Sequence, residues 1–117
     1  MVVDLTVAPK QKRPAGEPCC EALATPEVSR PAAERLATLA RALGDPTRLQ
    51  LVDVLRKHAG QVCVCELQPL FAIKQSTLSE HLKKLRDAGI VGVERRGLWA
   101  YYYVHPESLE ELRSWLS

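Results

Sequence analysis

Leu78, Leu82 and Leu85 recur at intervals of four and three, Gly89 stops the run, and two β-rich stretches, residues 90–94 and 98–104, follow with Arg95, Arg96 and Gly97 between them. Apolar residues at i, i+4 and i+7 line one face of a helix, and short Val- and Tyr-rich runs joined through a glycine read as a hairpin. A helix that runs straight into a hairpin leaves few architectures open. The preceding segment narrows them further: residues 62–71 are short and apolar, which predicts an extended lead-in and a short helix over residues 66–71, limited by Pro69. Lys74, Gln75, Ser76 and Thr77 then open the longer helix. A short helix, a turn and a longer amphipathic helix make a helix-turn-helix, and the hairpin behind it supplies a wing.

Two helices are expected before this unit and one after it. Ser29 can cap and Pro31 suits a first helical turn, after which Leu36, Leu39, Ala40 and Leu43 recur at helical spacing up to Gly44. Asp45 and Pro46 restart a helix whose apolar face is Leu49, Leu51, Val52 and Leu55, running to His58 and stopped by Gly60. Pro106 starts a terminal helix with Leu109, Leu112, Trp115 and Leu116 on one stripe and Glu107, Glu110 and Glu111 facing away. The fold class is therefore mainly α with a β-hairpin, a winged helix-turn-helix over residues 29–117. Residues 1–28, with Pro9, Pro14, Pro18 and Pro26 and little periodicity, read as an irregular arm that carries Cys19 and Cys20. One small core cannot cover the apolar stripes of both the first and last helices. Leu36, Leu39 and Leu43 with Leu109, Leu112, Trp115 and Leu116 are therefore expected to pair two copies into a C2 homodimer.

At 117 residues the chain has room for one core. Its N-terminal basic cluster follows a short apolar segment instead of preceding one, and no apolar run approaches the ~20 residues of a membrane span. Neither a secretory signal nor a membrane anchor is expected. Four cysteines in such a chain imply a reducing cytoplasm, where thiols serve metal or redox chemistry more than structural disulfides.

The net charge of +2 excludes a uniformly basic coat, yet its distribution is uneven. Residues 74–96 carry six Lys or Arg against three Asp or Glu, whereas residues 97–117 carry one against three, so the positive excess sits on the helix and hairpin. On a helical wheel, Leu78, Leu82 and Leu85 share one side, while Ser76, Thr77, Ser79, Glu80, Lys83, Lys84 and Asp87 spread over the rest. Small polar side chains in the first turns can reach base edges in a major groove, and lysines further along suit phosphates. This pattern points to double-stranded DNA. His81 flanks the buried stripe, where a histidine is more often a packing residue than a base reader.

Four further stretches carry a family resemblance: Gly44-Asp45-Pro46-Thr47-Arg48-Leu49, Cys63-Val64-Cys65-Glu66-Leu67, Gln75-Ser76-Thr77-Leu78-Ser79-Glu80-His81-Leu82, and Arg95-Arg96-Gly97 before the Tyr-rich strand. Residues 43–104 resemble the ArsR/SmtB family of bacterial metal-responsive repressors, winged-helix homodimers that leave operator DNA when an inducer metal binds. The resemblance implies Gln75, Ser76, Thr77, Ser79 and His81 at the DNA, with Arg95 and Arg96 near the backbone or minor groove. Ser76 stands where family members often have proline, which leaves the start of that helix less fixed.

The cysteines are the second chemical feature. Cys63 and Cys65 would point about 200° apart in a helix, whereas in extended chain or at a helix start their thiols can converge. Packing as small hydrophobes among Val62, Val64 and Leu67 is the alternative. Cys19 and Cys20 are adjacent in a polar arm, where such packing is not expected. Three or four thiolates favour a soft, thiophilic ion, and His58, His81 and His105 are scattered. The Cys63-Val64-Cys65 box is similar to that of arsenic-responsive members, and box plus arm cysteines also occur in cadmium and lead responders. A vicinal pair ahead of the first helix resembles arsenite-responsive repressors in which arm thiols complete a three-sulfur site. The resemblance thus implies As(III) or Sb(III) as inducer, followed by Cd(II), Pb(II) or Hg(II), at a site drawn from Cys19, Cys20, Cys63 and Cys65 and shared between subunits. A thiol redox switch on the same frame is the competing mechanism. An enzyme is excluded for lack of parts: there is no phosphate-binding glycine loop, no Ser/His/Asp order and no thiol with an evident histidine partner.

Overall fold

The computed structural model describes residues 22–58 and 62–117. Helix α1 spans Arg30–Ala42, α2 Pro46–Lys57, strand β1 Val62–Cys63, α3 Val64–Leu67 with a 3-10 turn over Gln68–Leu70, α4 Gln75–Asp87, β2 Val91–Arg96, β3 Trp99–Val104 and α5 Pro106–Leu116. The expected winged helix-turn-helix is present. Arm residues 1–21, including Cys19 and Cys20, and Gly60 lie outside the described residues.

The helix boundaries follow local chemistry. Ser29 Oγ accepts the Ala32 N–H at 3.3 Å and Asp45 Oδ2 accepts the Arg48 N–H at 3.1 Å, so each cap satisfies an orphan donor of its helix, with a proline in each first turn. Gly89, at φ +81°, ends α4 in the left-handed region, where glycine carries no Cβ penalty, and returns Ile90 to the core with its N–H on the Leu85 carbonyl at 3.0 Å. The core is Leu51 and Leu55 of α2, Leu67 of α3, Leu78, Leu82 and Leu85 of α4, and Ile90 and Val91, all fully buried. Each such side chain contributes roughly 1.5–3 kcal/mol through removal from water.

Four local readings change. The two-stranded hairpin gains a third strand, in the order β1-β3-β2, with Val62 opposite Tyr102 and Cys63 opposite Tyr101; two residues are too few to display an alternation. The third helix starts at Val64 instead of Glu66, because the Glu66 carboxylate reaches back to accept the Cys63 N–H at 3.1 Å. Arg95 and Arg96 belong to β2, and the turn is Gly97-Leu98, with Gly97 at φ +61° in the first central position as a II′ hairpin turn requires. Leu49, expected on the apolar face of α2, is exposed.

The first and last helices pack on each other within the protomer, which revises two expectations. Leu39, at 3% exposed, is absorbed by the protomer's own core and has no surface left for a second copy. Glu111 turns inward to α1, where the Arg35 guanidinium donates to its carboxylate at 2.6 Å, instead of facing away. Leu36, Leu109 and Leu112 are half-buried, and Trp115 and Leu116 remain 55% and 73% exposed.

Candidate nucleic-acid interface and thiol site

The N-terminal half of α4 carries its polar side chains outward. Gln75, Ser76 and Ser79 are exposed, Thr77 is half-buried, and Lys83 and Lys84 continue the exposed face one turn later. Leu78, Leu82 and Leu85 on the opposite side are wholly buried, so the helix cannot rotate without stripping its core contacts. The small polar group at the start is therefore held in a fixed outward orientation.

His81 occupies a different position from its neighbours. Its side chain is 18% exposed and turned toward the start of α2, with Nδ1 3.4 Å from an Arg48 guanidinium nitrogen and 3.9 Å from Asp45 Oδ2. Arg48 itself donates to the Ala42 carbonyl at 2.6 Å and the Arg41 carbonyl at 3.4 Å, both in the last turn of α1, where the Arg41 carbonyl also accepts the Gly44 N–H at 3.1 Å. Sequence reasoning missed Arg48. The available signal was an arginine two residues after Pro46, in the first turn of a helix that starts only a few residues beyond the end of the preceding one.

In the wing, Arg95 is exposed, whereas Arg96 is engaged within the hairpin: it donates to Glu94 at 3.3 Å and lies over the Tyr101 ring at 5.1 Å from the centroid. A cation over an aromatic face is attracted by the ring quadrupole. This contact sets the direction in which the Arg96 charge is presented.

The two box cysteines meet. Cys63 closes β1 in an extended conformation (φ −75°, ψ 145°) and Cys65 sits in the first turn of α3, so the backbone changes direction between them and the Cys65 thiol donates to the Cys63 sulfur at 2.8 Å. Cys63 is buried and Cys65 is exposed, which gives one sulfur fixed by packing and one open to a ligand. The hydrogen bond to Cys63, followed by desolvation, holds the Cys65 thiol above the ordinary thiol range. Among the described residues no group of three or more His, Cys, Asp or Glu side chains is placed to hold a metal ion. Cys19 and Cys20 lie outside those residues.

Residues 45–93 match the family described as "bacterial regulatory protein, arsR family". The arsenical resistance operon repressor of Bacillus subtilis is 40% identical over 74 residues, covering 63% of this chain and 70% of that protein. An HTH-type transcriptional regulator of Methanocaldococcus jannaschii is 37% identical over 79 residues, covering 68% of this chain and 88% of that one. The chain belongs to the ArsR family. Among solved structures, one described as a possible transcriptional regulator for arsenical resistance superposes with a TM-score of 0.60 at 33% identity, covering 68% of this chain and 79% of that chain.

As an ArsR-family member the chain is a helix-turn-helix transcriptional regulator of repressor type and not an enzyme. The matched span begins at Asp45, the α2 cap, and ends at Val93 within the wing. It thus takes in both box cysteines and all of α4. No described helix is long and apolar enough to cross a membrane.

Proposed function

We propose that this ArsR-family regulator is a cytoplasmic homodimer that represses by binding operator DNA and is released when As(III) or Sb(III) binds its cysteine thiolates. Gln75, Ser76 and Ser79 would read base edges, with Thr77 at their flank, and Lys84, Arg95 and Arg96 would contact the backbone. His81 acts one step back, by holding α4 against the α2 cap. Residues 29–117 form the DNA-binding and dimerisation unit. Residues 1–28 form an arm that brings Cys19 and Cys20 to a site begun by Cys63 and Cys65.

The observation that carries this reading is the 2.8 Å approach of the Cys65 and Cys63 sulfurs. Thiolates are soft ligands, and a preformed pair suits a thiophilic ion over a harder one. Several relatives named arsenical resistance operon repressors, including those of Bacillus subtilis and Staphylococcus xylosus, favour arsenic among such ions. The pair is also in register with the wing: Cys63 lies opposite Tyr101, the residue whose ring carries Arg96. A bond made at Cys63 therefore pulls on the strand that presents a DNA-facing charge. For assembly, Leu36, Trp115 and Leu116, flanked by Leu109 and Leu112, offer an apolar face that a second copy would cover.

The test is a thiol count. Titrating reduced protein with arsenite should consume Cys63, Cys65 and at least one arm thiol per arsenic, and zinc should not compete at equal concentration. Arsenite binding that leaves Cys63 and Cys65 freely alkylated would contradict the reading.

A further inference from the structure

The tip of the wing is apolar, and no packing within the described residues accounts for it. Leu98 is 98% exposed and Trp99 54% exposed, side by side at the hairpin turn. Toward the tip, Val93 and Ala100 are the last wing residues packed against the core, so residues 95–99 project beyond it. Turn chemistry does not ask for the leucine either. II′ turns are dominated by Gly, Asn and Asp, and Gly97 already supplies the positive φ, at +61°. The proposed dimer face lies elsewhere, because α5 starts beyond the opposite end of β3, the length of that strand or roughly 17 Å from Trp99. The charge around the tip is positive: Arg95 is exposed, and Arg96 stands opposite Trp99 with Glu94 tied to it at 3.3 Å. We propose that Leu98, backed by Trp99, is a wedge that enters the DNA minor groove beside each half-site and partly opens one base step.

This contact rests on the operator binding proposed above and adds to it a reading position outside α4. The wing is continuous with the recognition helix, since β2 leaves α4 through Gly89. A two-residue turn is narrow and the minor groove is ~6 Å wide, so a single leucine at the apex fits where a longer loop would not. Apolar side chains such as leucine enter that groove by partly unstacking a base step, which bends the duplex toward the major groove. The distortion costs least at pyrimidine–purine steps, TA and CA/TG, which are flexible. A sequence preference therefore arises at a step that no hydrogen bond reads. Arg95 and Arg96 attract the tip to the groove, whose negative potential is strongest where it is narrow, and the leucine discriminates. The apex is also held in place: β2 and β3 pair continuously out to Arg96 and Trp99, and Arg96 lies over the Tyr101 ring.

Selection from random duplexes of about 40 base pairs, long enough for two half-sites one helical turn apart and both flanks, tests this with the reduced full chain, Leu98→Ser and Leu98→Met. The unsubstituted chain and Leu98→Met should enrich an inverted repeat with a pyrimidine–purine step at the same distance outside each half. Leu98→Ser should recover the inner repeat, which also shows that it folds, but lose the outer step and bind the selected duplex about tenfold more weakly. Circular-permutation gel shifts on that duplex should show a bend of at least roughly 20° with the unsubstituted chain, and a smaller one with Leu98→Ser. If Leu98→Ser selects the same outer step with the same bend, or weakens every duplex alike, the wedge falls and operator binding stands. If the unsubstituted chain enriches no repeat, both fall. Leu98-dependent sedimentation with phosphatidylserine vesicles, alongside an unchanged outer step, would assign the tip to a lipid surface instead.

Discussion

Arg48 stands with one guanidinium nitrogen 3.4 Å from Nδ1 of His81 while another donates to the Ala42 carbonyl at 2.6 Å, so a single side chain joins the end of α1, the start of α2 and the side of α4. The recognition helix is thereby tied to the helix that flanks the proposed dimer face. Arg48→Ala should destabilise the fold by about 1.5–3 kcal/mol, the range for hydrogen bonds to a charged group. Arg48→Lys should recover less than half of that, because an ammonium cannot span the α1 carbonyls and His81 together. Chemical denaturation of both variants measures this, and a fully restored Lys variant would show that charge alone suffices.

Asp45 makes the same junction pH-dependent. Its carboxyl is held below the ordinary value chiefly by the hydrogen bond from the Arg48 backbone N–H, with the His81 charge adding to the effect. A depressed native pKa means that the ionised form favours folding. The contribution is complete above the unfolded Asp value of ~3.9 and disappears as pH falls through the lower native value. Asp45→Asn keeps a capping oxygen but removes the titration, so its thermal midpoint should fall less steeply between about pH 5 and pH 2 than that of the unsubstituted chain. Parallel slopes would contradict the assignment.

Gly92 is required by its cross-strand partner. It lies opposite Tyr103, and a Cβ added there would come within 2.5 Å of the Tyr103 ring, which also meets the His105 ring edge-on at 5.3 Å between centroids. Gly92→Ala should cost about 1–3 kcal/mol by overpacking. In a Tyr103→Ala background the same substitution should be nearly neutral, a coupling that a double-mutant cycle isolates. Equal costs in both backgrounds would place the strain elsewhere.

The amphipathic periods of α4 and α5, the caps of α1 and α2 and the paired β runs were legible because each is written in consecutive residues. What was not legible depended on contacts distant in sequence. Leu39 belongs to the same apolar stripe as Leu36, and only the packing of α1 on the rest of the protomer decides that Leu39 joins the core while Leu36 stays half-exposed. Arg48 and His81 are 33 residues apart. Strand β1 exists only because β3 offers it an edge. The convergence of Cys63 and Cys65 was one of two geometries open to a C-x-C spacing, and the Glu66 carboxylate bound to the Cys63 N–H is what selects the strand-to-helix turn.

The recognition helix separates two kinds of contact. Gln75→Ala or Ser79→Ala should reduce the preference for operator over random DNA, by ~1–3 kcal/mol where a bidentate base contact is lost. Lys84→Ala should instead weaken both DNAs alike and lower the salt slope by about one. Fluorescence anisotropy over a salt series reads both quantities, and an unchanged operator preference in Gln75→Ala would remove α4 from the reading role.

Coupling between the thiols and the operator is the central claim, and a ligand can drive release only through unequal affinity for the DNA-bound and free states. Reversing a 1:99 balance to 99:1 needs about 5.5 kcal/mol, which arsenic–thiolate bonds must supply. The most direct measurement is an operator gel-shift with arsenite added to the unsubstituted chain, to Cys63→Ser/Cys65→Ser and to Cys19→Ser/Cys20→Ser. The account predicts that all three bind the operator with similar affinity and that arsenite releases only the unsubstituted chain. Release of the Cys63→Ser/Cys65→Ser protein at the same arsenite concentration would contradict it.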